Sequence, residues 1–100
     1  MIRHIVLFRR KRDIVKDAAL EQSLTRRMDT LGTQIPGIRG WVFRANETDR
    51  LICWDYVTES NFENDEALQA YLTHPAHQTL VAEVKLYFEW AVVDYTSHSE

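Results

Sequence analysis

Cysteine is nearly absent from this chain. Its 100 residues hold one, Cys53, so no intrachain disulfide can form and a disulfide-stapled scaffold is excluded. Long apolar runs are missing too. The cleanest, Ile5 to Phe8, falls far short of the roughly 20 residues a membrane helix needs. No apolar leader region shows at the N-terminus, where Arg3 and His4 interrupt and Arg9-Arg10-Lys11-Arg12 follows. A cytoplasmic location without membrane association is therefore expected. Neither sign of charge dominates: 12 Lys and Arg against 15 Asp and Glu give a net charge of −3. That leaves no bulk attraction for nucleic acid or an anionic membrane, and no nucleic-acid stacking motif is present. The glycines, Gly32, Gly37 and Gly40, do not form a phosphate-binding loop.

What remains is a folded α+β composition, with 45% hydrophobic and 27% charged residues, long enough for one domain across residues 1–100. Ile2 to Arg9 alternates and is rich in β-branched and aromatic residues, which predicts a strand. Leu20, Leu24, Met28, Leu31 and Ile35 then recur at helical spacing, with Asp17 or Asp13 as the N-cap and Gly32 and Pro36-Gly37 as the stop. Ile38 to Arg44 and Leu51 to Val57 predict a hairpin around the turn Asn46-Glu47-Thr48-Asp49. Asn64 or Asp65 caps a short helix through Leu72, and Pro75 suits the first turn of another. Tyr87 to Tyr95 predicts the last strand. This order gives a ferredoxin-like fold with a four-stranded antiparallel sheet.

The terminal strands are apolar on both faces. Phe88, Trp90 and Val92 oppose Tyr87, Ala91, Val93 and Tyr95, and Ile2, Val6 and Phe8 oppose Ile5 and Leu7. Helices in such a fold cover one face, and a sheet half-covered in this way should alternate apolar with polar. A second copy of the sheet is the simplest cover, so a homodimer is expected.

His74-Pro75-Ala76-His77 is the most specific local feature. Histidines three apart near a helix start lie on roughly one side of it, and Tyr71 stands three residues earlier. His4 shares parity with the apolar Val6 and Phe8. Such an imidazole is either a hydrogen-bonded core group or a proton-transfer group in a pocket. His74 and His77 carry the same alternative: helix cap and core group, or site residues. His4, His74 and His77 are enough nitrogens for a catalytic zinc, but H-x-x-H lacks the four-residue spacing and neighbouring Glu of the common helical motif. No metal is expected. Cys53 reads as a small buried apolar group and Arg9 to Arg12 as a solvated loop.

The opening Met1 to Phe8, the stretch Phe62 to Tyr71, the HPAH element at 74–77 and the closing Val93-Asp94-Tyr95 together resemble the stress-responsive A/B barrel (Dabb) family. The resemblance covers nearly the whole chain and implies a dimeric α+β barrel. A plant polyketide cyclase of that family closes its substrate by aldol condensation, without metal or organic cofactor, through the tyrosine and histidine of a Y-x-x-H-P-A-H stretch. This chain has that stretch from Tyr71 to His77. Carried over, His77 is the general base for a proton α to a carbonyl, Tyr71 hydrogen-bonds the enolate and His4 lines the same cavity. One departure is visible: the cyclase's third-strand histidine has no counterpart here, where Cys53, Trp54, Asp55 and Tyr56 stand. Trp54, Phe62, Leu72, Phe88 and Trp90 are candidates for the apolar walls. The expected role is binding of a small hydrophobic carbonyl compound, with cofactor-independent cyclase, lyase or isomerase chemistry. The alternative is a non-catalytic stress-response or ligand-binding protein.

Overall fold

The alternation that starts at Ile2 becomes β1 (Ile2–Arg10), a central strand paired antiparallel on both sides. The computed structural model describes residues 1–98. After β1 come α1 (Ala18–Thr30) with a 3₁₀ turn (Leu31–Thr33), β2 (Arg39–Ala45), β3 (Tyr56–Phe62), α2 (Asp65–Leu72), α3 (Pro75–Val84) and β4 (Phe88–Thr96). The sheet order is β2-β3-β1-β4, antiparallel throughout, which is the ferredoxin-like arrangement. No helix among the described residues is long and apolar enough to cross a membrane.

Each helix starts on a side chain that satisfies an otherwise orphaned amide. Asp17 accepts from the Leu20 amide at 3.0 Å, Asn64 from the Ala67 amide at 2.9 Å, and His74 Nδ1 from the Ala76 amide at 3.0 Å. Such a cap contributes about 1 kcal/mol. Pro75 occupies the first turn of α3, where its missing N–H is not needed.

Two sequence expectations need correction. The third strand is Tyr56–Phe62, not Leu51–Val57. Leu51 and Ile52 belong to the connecting loop, where Leu51 is fully exposed and Ile52 nearly so. The inward residues of β3 are the polar Thr58 and Ser60, so hydrophobicity does not mark the strand. Both are buried, and Ser60 is the register partner of His4. The loop closes instead through the Asn46 amide to the Asp55 carbonyl at 2.8 Å. The second correction concerns α1. Leu20 is 43% exposed, and Glu21 takes the buried position beside it at 5%.

The helices cover one face of the sheet. Leu24, Met28, Leu31, Ile35, Leu68, Leu80 and Val84 pack there against Phe62 and Phe88. Ile5 and Leu7 of β1 lie on the other face, in register with Val93 and Ala91 of β4. Arg3 pairs with Glu59 and Arg9 with Glu89 on the same face, so its charges cancel locally.

Candidate functional site

A cavity of about 140 Å³ lies between the sheet and the helices. Its sheet wall is His4, Val6 and Phe8 from β1, Trp41 from β2, Thr58 from β3, and Trp90 and Val92 from β4. Its helix wall includes Met28, Tyr71, Leu72, His77, Leu80 and Val81. His4, Tyr71 and His77 therefore reach one cavity from three different elements.

His77 is placed by the first turn of α3, which Pro75 and His74 start. Its Nδ1 lies 3.0 Å from the Leu72 carbonyl oxygen. A carbonyl accepts only, so Nδ1 carries the proton and Nε2 of the neutral ring keeps its lone pair. Burial lowers the His77 pKa below the ordinary histidine value; the Leu72 bond opposes that shift, and the neighbouring His4 and His74 add to it. Neutral imidazole is thus the favoured form. The Tyr71 ring lies 4.5 Å from that of His77 and 6.0 Å from that of His4. Burial pushes the Tyr71 phenol up, which keeps it a neutral donor, and its hydroxyl makes no hydrogen bond among the described residues. His4 is 4% exposed. Its Nδ1 lies 2.5 Å from Asp94 Oδ1, across the β1–β4 register in which the two residues face each other. The carboxylate holds the proton-bearing Nδ1 and leaves Nε2 as the ring's other polar atom. A ring nitrogen with a lone pair beside a neutral phenol donor has the components to take a carbon-acid proton and to hydrogen-bond the resulting oxyanion.

The remaining sequence candidates fall in different places. Leu72 and Trp90 are on the cavity wall. Phe62 and Phe88 are fully buried one layer back: Phe62 packs on Tyr71 at 5.1 Å between ring centroids and Phe88 on Phe8 at 6.3 Å. Trp54 is not brought to the cavity; the Arg9 guanidinium sits 4.3 Å over its ring. His74 caps α3 and does not line the wall. Among the described residues, no three His, Cys, Asp or Glu side chains converge as a metal site. Sequence reasoning missed Trp41, Thr58 and Asp94. Asp94 was recoverable once β4 was paired with β1, because antiparallel register sets it opposite His4.

Trp41 holds its wall position because Gly32 has no side chain. A Cβ at Gly32 would lie 2.1 Å from Trp41 Cγ. Gly32→Ala should expel Trp41 from the wall and cost roughly 1–3 kcal/mol. A moved Trp41 indole resonance together with a lower melting temperature would show it.

The fold and the site together define an α+β protein with an apolar, histidine- and tyrosine-bearing cavity between an antiparallel ferredoxin-like sheet and its helices. The stress responsive A/B barrel domain model matches residues 2–97, and the chain belongs to that family. An uncharacterised protein of Streptomyces coelicolor is 36% identical over 95 residues, covering 95% of this chain and 98% of its own. Among solved structures, a dimeric ferredoxin-like protein of unknown function from Thermobifida fusca superposes with a TM-score of 0.81 at 21% identity, over 96% of this chain and 90% of its own. Hydroxynitrile lyase from Passiflora edulis also gives a TM-score of 0.81, at 17% identity, over 99% of this chain and 94% of its own.

Proposed function

We propose that the chain binds a small hydrophobic carbonyl compound and catalyses proton transfer α to the carbonyl, with His77 as base and without metal or organic cofactor. The observation that carries this reading is His77 itself: a half-buried imidazole, tautomer fixed by Leu72, beside the unpaired Tyr71 hydroxyl. The α C–H proton passes to His77 Nε2, the C–H electron pair moves into a C=C bond, and the carbonyl oxygen becomes an enolate oxygen that accepts from Tyr71. Reprotonation at carbon regenerates the base. His4, oriented by Asp94, lines the same space. The similarity to a protein described as a hydroxynitrile lyase supports chemistry in this fold. The test needs no natural substrate. Butan-2-one in D₂O should exchange its α-hydrogens faster with the protein than in buffer, followed by proton NMR. A rate equal to that of buffer, with the protein folded, leaves a ligand-binding role in place of catalysis.

The working unit in this reading is a homodimer with helix-free faces opposed. Leu7, Val93 and Tyr95 are 39%, 60% and 46% exposed there, with the Arg3–Glu59 and Arg9–Glu89 pairs beside them. A self-neutralised face with an apolar centre suits a second copy of itself. Sedimentation at low micromolar concentration should give a dimer, and Leu7→Asp a folded monomer. A wild-type monomer would overturn the assembly.

A further inference from the structure

We infer that the cavity is selective for a neutral single-ring aryl ketone, and that it rejects carboxylates and fused-ring compounds. This rests on the reading that the space shared by His4, Tyr71 and His77 is the working site.

Size sets the first limit. The cavity measures about 140 Å³. A dry cavity of ~150 Å³ is one that accepts benzene. One six-membered ring fills the space, and a short carbonyl arm completes it. A second fused ring exceeds that volume and would press on the packed wall, where Leu80 and Val84 are 6% and 3% exposed. Interiors packed at crystal density do not give way by that much without loss.

Charge sets the second limit. No Lys or Arg lines the cavity. Arg10, the cation on the inner side of β1's end, is committed to Glu21 and Asp55, and Arg27 is paired with Glu83. The Asp94 carboxylate stands on the wall residue His4 and repels an anion. Burial holds His77 toward its neutral form. A ligand carboxylate would enter without a counter-charge and lose its water.

The walls set the rest. Phe8, Trp41, Tyr71 and Trp90 offer ring faces and edges to a flat ligand. Two donors on that wall lack partners: the Tyr71 hydroxyl, and the Trp41 indole N–H, which is buried and unsatisfied. A carbonyl oxygen has two lone pairs and no donor, so it matches two unpaired donors; an alcohol or amine would bring donors of its own.

The chain contains three tryptophans, which makes the test direct. Trp41 and Trp90 line the cavity, whereas Trp54 lies under Arg9 and serves as an internal control. Acetophenone, benzoate and 2-acetonaphthone are titrated into the full-length ¹⁵N-labelled protein, and the indole N–H resonances are followed. Acetophenone should move the Trp41 and Trp90 signals saturably and leave Trp54 in place. Benzoate should move none, and 2-acetonaphthone should bind at least tenfold more weakly. Val81→Phe, which fills the cavity from its wall, should weaken acetophenone at least tenfold. Benzoate or 2-acetonaphthone binding as tightly as acetophenone, through the same two indoles, would overturn the ligand class and leave the site intact. Saturable acetophenone binding without movement of Trp41 and Trp90 would overturn the site itself. Silence from all three compounds would overturn the ligand class, with butan-2-one exchange then deciding separately whether the site is catalytic.

Discussion

His77→Ala should reduce protein-catalysed α-hydrogen exchange by about 10²- to 10⁴-fold, the usual contribution of a positioned general base, while the fold and the dimer persist. His77 makes one ring hydrogen bond, to the Leu72 carbonyl, and packs against the Tyr71 ring. Removing the ring leaves that carbonyl without its side-chain donor, at a cost of roughly 1–3 kcal/mol, which lowers the melting temperature without unfolding the protein at 25 °C. Tyr71→Phe keeps the ring that packs on Phe62, Trp41 and His77 and deletes only the hydroxyl. Its loss should fall on the chemical step, with binding largely retained. The pH profile adds a signature that a structural role would not produce. Burial lowers the His77 pKa, so the base form persists below the ordinary histidine value and exchange should stay flat to pH values where a free imidazole is already protonated. Stability runs the other way. Below the ordinary value the unfolded chain binds a proton that the folded His77 does not, so stability falls as the pH drops through that window toward the folded-state pKa. A folded His77→Ala protein with undiminished exchange would end the general-base assignment.

The parts of the fold visible in the sequence were those in which one physical rule acts alone. Leu24, Met28 and Leu31 repeat at the helical period and are all buried, the first two on α1 and Leu31 at the start of the 3₁₀ turn that follows it. Asp17, Asn64 and Pro75 mark helix starts because local hydrogen bonding and proline's fixed geometry act within a few residues. β3 was hidden because its inward residues answer to a neighbour across the sheet. Thr58 and Ser60 are polar, yet they sit beside His4 and Val6, and no alternation of hydrophobicity reveals them. The site divides along the same line. Tyr71 and His77 lie in one short stretch, and His4 opens an apolar strand, so residue type and spacing single them out. Trp41 and Asp94 become site residues only through tertiary placement: one by lying over Gly32, the other by strand register with His4. Trp54 shows the converse. Its type suggested a wall, but it lies in the loop just before β3 and is held by Arg9 instead. Glu21 was missed because a carboxylate in a helical stripe reads as a break in the pattern unless its distant partners are known.

Those partners make Glu21→Ala the substitution with the largest expected loss of stability. The carboxylate is buried, accepting from Tyr87 at 2.7 Å through Oε1 and from Tyr56 at 2.5 Å through Oε2, with the Arg10 guanidinium 3.3 Å from Oε2. It thereby ties α1 to the end of β1, to the start of β3 and to the residue preceding β4. Alanine would strand two phenols around a small void and leave Arg10 with Asp55 alone. Breaking a buried charge network by removing one partner costs about 3–5 kcal/mol. For a domain of this size each kcal/mol moves the melting temperature by roughly 4–8 °C, so a fall of at least about 12 °C is expected by calorimetry. Glu21→Gln keeps the shape and one acceptor oxygen and should lose less. The alkaline limb is informative as well. Burial, and then the hydrogen bond to Glu21, raise the Tyr56 and Tyr87 pKa values. Stability from this source is complete below about pH 10, where unfolded tyrosines begin to ionise, and is lost as the pH rises further while the folded phenols hold their protons. In Glu21→Gln the anionic acceptor is gone, the folded phenols ionise earlier, and the alkaline loss should be shallower than in wild type. The cavity lies elsewhere on the helix-facing side, and Glu21 does not line it, so acetophenone should still move the Trp41 and Trp90 resonances in Glu21→Gln. A Glu21→Ala protein that melts with the wild type would mean that water replaces the carboxylate, and that α1 is held to the sheet by its apolar stripe alone.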